Sequence, residues 1–155
     1  MRKIVLIIAS LLLCGSIFAQ HESDKYGTHW PDFDGDLFYN QDPTVAFVKI
    51  GGDFVAASDN WADLEVAAFV GDECRGHTFM KYFAEEGDPY PIIELSVYYT
   101  EMAEEVSFKI YDHARGIEYS NCFANVQGEP ITIRTGEDHT ELYYDYNTAI
   151  ILRVE

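Results

Sequence analysis

Alternating apolar and polar residues, interrupted by turn-forming pairs, constrain this chain's fold more than any other feature. Residues 93–99 place an apolar or aromatic side chain at every second position, and residues 106–111 repeat the pattern. Residues 45–50 and 149–154 are nearly continuous apolar runs rich in β-branched side chains. No convincing helical period extends beyond two turns. The pattern predicts an all-β protein: an antiparallel β-sandwich, Ig-like or jelly-roll-like, with about seven to nine strands and little helix, or an open barrel.

The first residues have the order of a secretory signal peptide. Arg2 and Lys3 precede an apolar stretch over 4–13, which is too short to span a bilayer, and small residues follow. We therefore predict a signal peptide over 1–19, an acidic and partly irregular segment over 20–43, and one β-sandwich domain over 44–155. Cys14 is a weaker candidate for lipidation, because Leu13 occupies a position where a lipobox has a small residue.

Export places the mature chain in the periplasm, at the outer membrane or outside the cell. Without residues 1–19 it has 8 basic against 27 acidic side chains, a net charge of −19. Such a surface repels phosphate backbones and anionic lipids and has no basic stripe, so we predict no nucleic-acid partner. No later apolar run is long enough for a membrane helix.

Two cysteines remain after processing, Cys74 and Cys122. An even pair in an oxidising compartment is more often bridged than free, and we predict a disulfide between them.

The stretch Glu65–His77, EVAAFVGDECRGH, is predicted to form a hairpin. Leu64, Val66, Ala68 and Val70 line one face of a largely buried strand over 64–70, and Ala67 and Phe69 lie on the other. Gly71-Asp72 supplies the turn, and the chain returns from Cys74. Gly76 marks either a bulge or a close backbone approach. Regular alternation then places Cys74 on the face opposite Arg75 and His77. A second hairpin is expected around residues 112–116.

In its order of segments the chain resembles a secreted all-β module of exported proteins from Bacteroidetes. The resemblance is carried by Trp30, the strand 45–50, the central AFVGDECRG segment (68–76) and the SFKIYD strand (107–112). It implies an exported, all-β accessory domain and no enzymatic activity.

Aromatic residues beside carboxylates and amides predict candidate sugar-binding positions. Rings stack on pyranose faces, and Asp and Asn side chains bind hydroxyl groups. The candidate ligand-binding residues are Asp59, Asn60, Trp61, Tyr143, Tyr144 and Tyr146. Packing of these rings within the fold is the alternative.

Asp32, Asp34 and Asp36 alternate as in the first positions of a calcium loop. The match then fails, because Leu37 and Pro43 occupy the positions of the essential glycine and glutamate. Calcium therefore remains a weaker alternative to an acidic, turn-forming segment, and we predict no other cofactor.

The sequence carries neither a G-x-S-x-G elbow nor an H-E-x-x-H helix, so we predict that the protein is not an enzyme. The predicted function is a non-catalytic secreted binding or adhesion module of the bacterial cell envelope, recognising a neutral glycan or a protein partner. The alternative is a structural or assembly component of an envelope complex with no small-molecule ligand.

Overall fold

The computed structural model describes residues 23–33, 40–83, 90–137 and 149–155. Several predictions concern residues outside these ranges: the signal peptide over 1–19, lipidation at Cys14, the metal candidates Asp34 and Asp36, and the ligand candidates Tyr143, Tyr144 and Tyr146. Within the described ranges the longest helix has four residues, so no helix there is long enough to cross a membrane.

Ten strands and two short helices make up the described structure. The helices are α1 (Ser23–Tyr26) and a 3₁₀ turn (Trp61–Asp63). The strands are β1 (Asn40–Ile50), β2 (Asp53–Phe54), β3 (Leu64–Val70), β4 (Glu73–Phe79), β5 (Ile92–Tyr99), β6 (Glu105–Asp112), β7 (Ile117–Val126), β8 (Glu129–Pro130), β9 (Ile133–Arg134) and β10 (Ile150–Val154). The predicted all-β class is confirmed. The predicted domain boundary between residues 43 and 44 falls inside β1.

All ten strands belong to one curled, mixed sheet. Its main path runs β2-β1-β10-β7-β6-β3-β4, with β5 paired to β1. The pairing of β1 with β10 is parallel, and the other ladders are antiparallel. Beyond β4, Lys81 and Ile92 exchange two backbone hydrogen bonds of 2.7 and 2.8 Å, which joins the β4 end of the path to β5 and, through β5, to β1. A sandwich of two sheets is therefore not confirmed, and the strand count exceeds the prediction.

Both predicted hairpins are confirmed. In the first, Val70 pairs with Glu73 across the two-residue turn Gly71-Asp72, where Gly71 takes a φ of +59° that favours glycine. In the second, residues 113–116 join β6 to β7, and the backbone N–H of Arg115 donates to the Asp112 carboxylate at 2.9 Å.

The inside of the curl holds the main apolar core. Every second residue of β3 points inward, where Leu64, Val66 and Ala68 are 0–5% exposed. They pack with inward residues of β1, β5, β6 and β10, such as Phe108 and Leu152. The sequence prediction that these residues share one face of β3 is confirmed.

An N-terminal segment, residues 23–33, lies across the outside of the sheet and is called the strap. Its Trp30 is 7% exposed and packs against Ala67 and Phe69 of β3 and against Tyr111 of β6. The outward face of β3 is therefore buried as well. The strap accounts for this second buried face, because an open sheet leaves such residues in water.

A β-bulge interrupts β4 at Arg75. Ala68 pairs with Gly76, but Phe69 pairs with Cys74, so Arg75 is the extra residue. Gly76 has a φ of +152°, and a Cβ placed there would lie 2.1 Å from the Ser96 carbonyl oxygen of β5. Both expectations for Gly76, a bulge and a close backbone approach, are confirmed. Arg75 pairs with Glu73, its Nε lying 3.0 Å from Oε2.

The bulge shifts the alternation of β4 by one residue. Cys74 pairs with Phe69 and His77 pairs with Ala67, and these partners share the outward face of β3. The prediction that Cys74 and His77 lie on opposite faces is therefore wrong.

The structure also contradicts the predicted disulfide. Cys74 and Cys122 are both unbridged. Cys74 lies on the outward face of β4 and Cys122 packs into the inner core from β7, with β3 and β6 between the two strands. Three strand spacings amount to about 14 Å along the sheet, whereas a disulfide needs Cα atoms closer than about 7 Å.

Candidate functional site

The most unusual residue beneath the strap is Glu65 of β3, whose side chain is completely buried. It shares the outward face of β3 with Ala67 and Phe69. A buried carboxylate is unfavourable unless donors surround it, because the ion loses its hydration. Glu65 therefore needs partners from neighbouring elements.

Three histidines supply those partners. Glu65 Oε2 accepts the backbone N–H of His29 at 2.8 Å and lies 2.6 Å from Nε2 of His113. Nδ1 of His77 lies 2.9 Å from Oε1. This last contact is at ion-pair distance, but Oε1 receives no well-aligned hydrogen bond from the described residues. The strap, β4 and the turn after β6 thus converge on one carboxylate.

The contacts shift the pKa values of Glu65 and His77 in opposite directions. Burial raises the pKa of Glu65, but the ion-pair contact with His77 and the hydrogen bonds with the His29 N–H and His113 outweigh this effect, and the pKa of Glu65 lies below the ordinary 4.5. The close contact with the Glu65 carboxylate raises the pKa of His77 above the ordinary 6.5, against the opposing effect of burial. The pair is therefore stabilised as carboxylate and imidazolium.

The other nitrogen of His77 faces a cavity of about 410 Å³ between β4, β5 and the end of the strap. Nε2 lies 3.2 Å from the carboxylate of Asp32, whose side chain is 91% exposed. The cavity is lined by Asp32, Phe33, Gly76, His77, Thr78, Glu94, Ser96 and Tyr98.

This lining combines hydroxyl groups, aromatic rings and balanced charges. Phe33 of the strap stacks on Tyr98 of β5, with ring centroids 5.1 Å apart. Glu94 is in an ion pair with Lys81 at 2.6 Å, as Asp32 is with His77. Each carboxylate of the cavity therefore already has a basic partner within the protein.

The sequence-predicted ligand residues lie elsewhere. Asp59 and Asn60 line a separate depression of about 460 Å³. Asp59 Oδ2 accepts the Ala56 backbone N–H at 2.7 Å and so shapes the loop itself. Trp61 is half-buried, packs against the inner core and lies near Tyr82. Trp61 therefore occupies a packing position, which is the alternative considered from the sequence.

Asp32, Cys74 and Cys122 are the remaining candidates for metal or thiol chemistry within the described ranges. Asp32 contacts His77, and the described ranges contain no group of three or more His, Cys, Asp or Glu side chains arranged to hold a metal ion. Burial raises the pKa of the Cys122 thiol to about 12 and also raises that of Cys74, so both thiols are poor nucleophiles.

Sequence reasoning missed the Glu65 cluster. The residues that meet there lie far apart along the chain, and His29 takes part through its backbone. One signal was present: Glu65 is a charged residue in an otherwise apolar strand, on the face that also carries Ala67 and Phe69. A charge on such a face predicts a partner from elsewhere in the fold.

Comparisons of the chain with protein-family models, with curated proteins and with solved structures gave no significant match in any of the three.

Proposed function

We propose that this protein is a non-catalytic, exported binding module that holds a neutral, polyhydroxylated ligand, a short segment of a glycan, in the cavity between β4, β5 and the strap. The resemblance to an exported accessory module and the signal-like residues 1–19 are the grounds for export. The cavity is the ground for binding.

The observation that carries the proposal is the composition of the cavity wall. The cavity has a volume of about 410 Å³, which lies within the range of about 300–1,000 Å³ typical of small-molecule sites. Ser96 and Thr78 offer hydroxyl groups, and the stacked Phe33–Tyr98 pair offers aromatic surface. Hydroxyl groups next to aromatic rings match the two kinds of surface on a sugar ring.

The charges favour a neutral ligand. Asp32 and Glu94 are matched by His77 and Lys81, so a cationic ligand would have to compete with internal ion pairs. An anionic ligand would meet two carboxylates and the strongly acidic surface of the chain. A sugar gains hydrogen bonds from these groups without disturbing their charge balance.

Isothermal titration of the processed chain with maltohexaose, cellohexaose and xylohexaose tests the proposal, with polygalacturonate as an anionic comparison. We expect saturable binding of at least one neutral oligosaccharide. Ser96→Ala should weaken it about fivefold, the effect of one lost hydrogen bond. Asp59→Asn, in the other depression, is the matched control and should bind like the wild type. The proposal would be contradicted if no neutral oligosaccharide bound saturably, or if the two variants lost the same amount of affinity.

The alternative, an assembly component, is favoured by one observation. Residues 117–119 of β7 pair with β6 along one edge, and no described strand pairs with residues 117–121 along the other edge. Ile117 is 43% exposed there. Such an edge can accept a strand from a partner. Hydrogen exchange separates the two functions, because strand addition would protect the amides of 117–121 in a complex with an envelope protein, whereas glycan binding would leave them unchanged.

A further inference from the structure

We propose that Lys49 of β1 and Arg153 of β10 form a second binding site, which takes the carboxylate of an acidic sugar on the outer face of the sheet. The cavity of the proposed function lies between β4, β5 and the strap, so the two sites are built from different elements. The second site therefore goes beyond the proposed function and does not depend on it.

Lys49 and Arg153 are neighbours across the parallel ladder of β1 and β10, whose strands lie about 4.8 Å apart. Leu152 belongs to the inner core, so Arg153 beside it faces outward, and its ladder partner Lys49 does the same. The ladder with β2 places Phe54 next to Lys49. The ladder with β7 places Phe123 next to Arg153. Two basic side chains between two aromatic ones thus form a row across the outer face, which is called the basic row.

The positive charges of the basic row are poorly matched within the protein. Most basic side chains of the described residues are in ion pairs, as Lys81 is with Glu94 at 2.6 Å. Lys49 has no carboxylate within ion-pair distance among the residues that the structure describes, and its Nζ lies 4.1 Å from the centroid of the Phe54 ring. Two like charges on paired positions of a ladder also repel each other. The row therefore favours an added negative charge.

Arg153 has a carboxylate partner in Glu155, but the contact is long and exposed. Its Nη2 lies 3.7 Å from Glu155 Oε1, and the two side chains are 48% and 71% exposed. Exposed ion pairs contribute little to stability, because water competes for both charges. A ligand carboxylate can therefore replace Glu155. The basic row also keeps one positive charge in excess while Glu155 is in place, since Lys49 remains unmatched.

A shallow depression of about 130 Å³ adjoins the basic row. It is lined by Lys49, Gly52, Asn125, Gly128, Ile151 and Arg153. Sites that enclose a whole ligand begin at about 300 Å³, so this depression has room for one group of a ligand, and the remainder lies over the surface beside it.

The chemistry of the row indicates which group and which remainder. A guanidinium such as that of Arg153 matches a carboxylate with two parallel hydrogen bonds. The Phe123 ring is 52% exposed and offers a flat apolar surface, on which the face of a sugar ring can stack. A sugar that carries a carboxylate presents both features side by side.

The acidity of the chain limits the ligand to one carboxylate. At about 0.15 M salt, electrostatic interactions between exposed charges are screened beyond about 8 Å. A single carboxylate at the basic row therefore meets mainly Lys49 and Arg153. A polyanion extends farther and meets the strongly acidic remainder of the surface. The ligand class is thus a sugar with one carboxylate, such as a terminal uronate.

Titration of the processed chain with methyl β-D-glucuronide tests the site, followed by ¹H–¹⁵N nuclear magnetic resonance in about 0.15 M salt. We expect saturable shifts of the Arg153 Nε–H and of the amides of β10. Methyl β-D-glucoside has a hydroxymethyl group in place of the carboxylate and should bind at least about tenfold more weakly. Acetate has the carboxylate without the ring and should bind about fivefold more weakly.

Substitutions in the row should separate local recognition from overall charge. Arg153→Gln should weaken glucuronide binding about tenfold, and Arg153→Lys should restore only part of it, because an ammonium lacks the planar fork. Arg134→Gln is the matched control. It removes the same charge from an exposed arginine of β9, whose Nη1 donates to the Ala103 carbonyl oxygen at 3.1 Å, and should bind like the wild type. Glu155→Gln should strengthen binding about twofold to threefold, because a competing carboxylate is lost.

Three results would overturn the inference: equal affinity for the glucuronide and the glucoside, equal affinity for the glucuronide and acetate, or equal losses in Arg153→Gln and Arg134→Gln. None of them involves the cavity, so if every neutral oligosaccharide fails to bind, only the proposed function fails. Ser96→Ala, which alters the cavity, should leave glucuronide binding unchanged. A loss of glucuronide affinity in Ser96→Ala would place the acidic sugar in the cavity and would also overturn the inference.

Discussion

The two faces of β3 are both buried, but they are buried by different means. Leu64, Val66 and Ala68 face the inside of the curled sheet, where they meet apolar side chains from most of the strands. Glu65 and Phe69 face outward, where the strap covers them. One face is closed by the sheet itself, and the other by a separate segment that brings polar partners.

The difference shows that burial alone does not define a core. Apolar packing inside the curl depends on shape and volume and does not titrate. Beneath the strap, a completely buried carboxylate depends on hydrogen bonds and on the charge of His77. We therefore expect the inner face to set the overall stability and the outer face to make it depend on pH.

The largest effect should come from the inner face. Phe108→Ala empties a site where the ring is 2% exposed and should lower the free energy of unfolding by about 3–5 kcal/mol. Phe123→Ala on the neighbouring strand is the matched control, since this ring is 52% exposed and its loss should change stability by less than about 0.5 kcal/mol. Urea unfolding measures both. Equal losses of stability in Phe108→Ala and Phe123→Ala would contradict the assignment of Phe108 to the inner core.

The next largest effect should come from Gly76→Ala, where β4 approaches β5 beside the cavity. The new Cβ would lie 2.1 Å from a backbone carbonyl oxygen, at a φ of +152°. We expect a loss of about 3 kcal/mol from overlap and strain together.

Gly52→Ala separates these two causes, because its Cβ meets nothing within 4 Å although φ is +96°. The backbone term alone should cost about 1–2 kcal/mol. If the two variants melt at the same temperature in calorimetry, the close approach of β4 and β5 is not present in solution.

Glu65→Gln should have a smaller effect, about 2 kcal/mol, because the variant loses charge-assisted hydrogen bonds and the anion that balances His77. The same substitution at Glu94 is the control. Glu94 forms an ion pair with Lys81 near the surface, and such pairs contribute at most about 1 kcal/mol. A Glu65→Gln variant as stable as Glu94→Gln would show that the outer face is not held by its buried charge.

The dependence of stability on pH should separate the two faces further. The pKa of Glu65 is lowered in the fold, so its contribution is present above pH 4.5 and is lost as the pH falls through the lowered value. The pKa of His77 is raised, so its contribution is complete below pH 6.5 and is lost as the pH rises through the raised value.

Melting temperatures measured across pH should therefore be highest between about pH 4.5 and 6.5. Phe108→Ala should shift the whole profile downward without changing its shape, because no titrating group is removed. Glu65→Gln should flatten the profile. A profile of unchanged shape in Glu65→Gln would assign the pH dependence to other groups.

The smallest effect should be that of reductant. Cys74 and Cys122 lie on opposite faces and are unbridged, so dithiothreitol should leave the melting temperature unchanged. Thiol titration of the processed chain in denaturant, without reductant, should detect both cysteines. If the titration detects neither thiol, the two cysteines are bridged. That result would contradict the strand order that separates them.

Much of the local structure was predictable from neighbouring residues. Alternation grouped Leu64, Val66 and Ala68 on one face of β3, and Gly71-Asp72 located its hairpin, because side-chain period and turn chemistry act over a few residues. The bulge at Arg75 was the point of failure. Once one extra residue enters β4, the faces of all later residues reverse, which is why Cys74 and His77 were assigned to opposite faces.

The candidate site was less predictable than the strands. Glu65 was visible as a charge within an apolar run, but its partners are a backbone N–H of the strap and two histidines, 77 and 113, from other elements. Asp59 and Asn60 do line a depression, whereas Trp61 packs against the core. Composition marked residues capable of binding, and packing decided which of them face a cavity.

The sequence by itself determined the β class, the main hairpins and which residues of β3 share a face, since these follow from interactions between residues close together in the chain. Only the tertiary structure decided the parallel pairing of β1 with β10, the meeting of Lys81 with Ile92, and the strap over Glu65. Contacts between distant segments carry a loop-closure cost and are selected by the packing of whole faces, which no short stretch of sequence encodes.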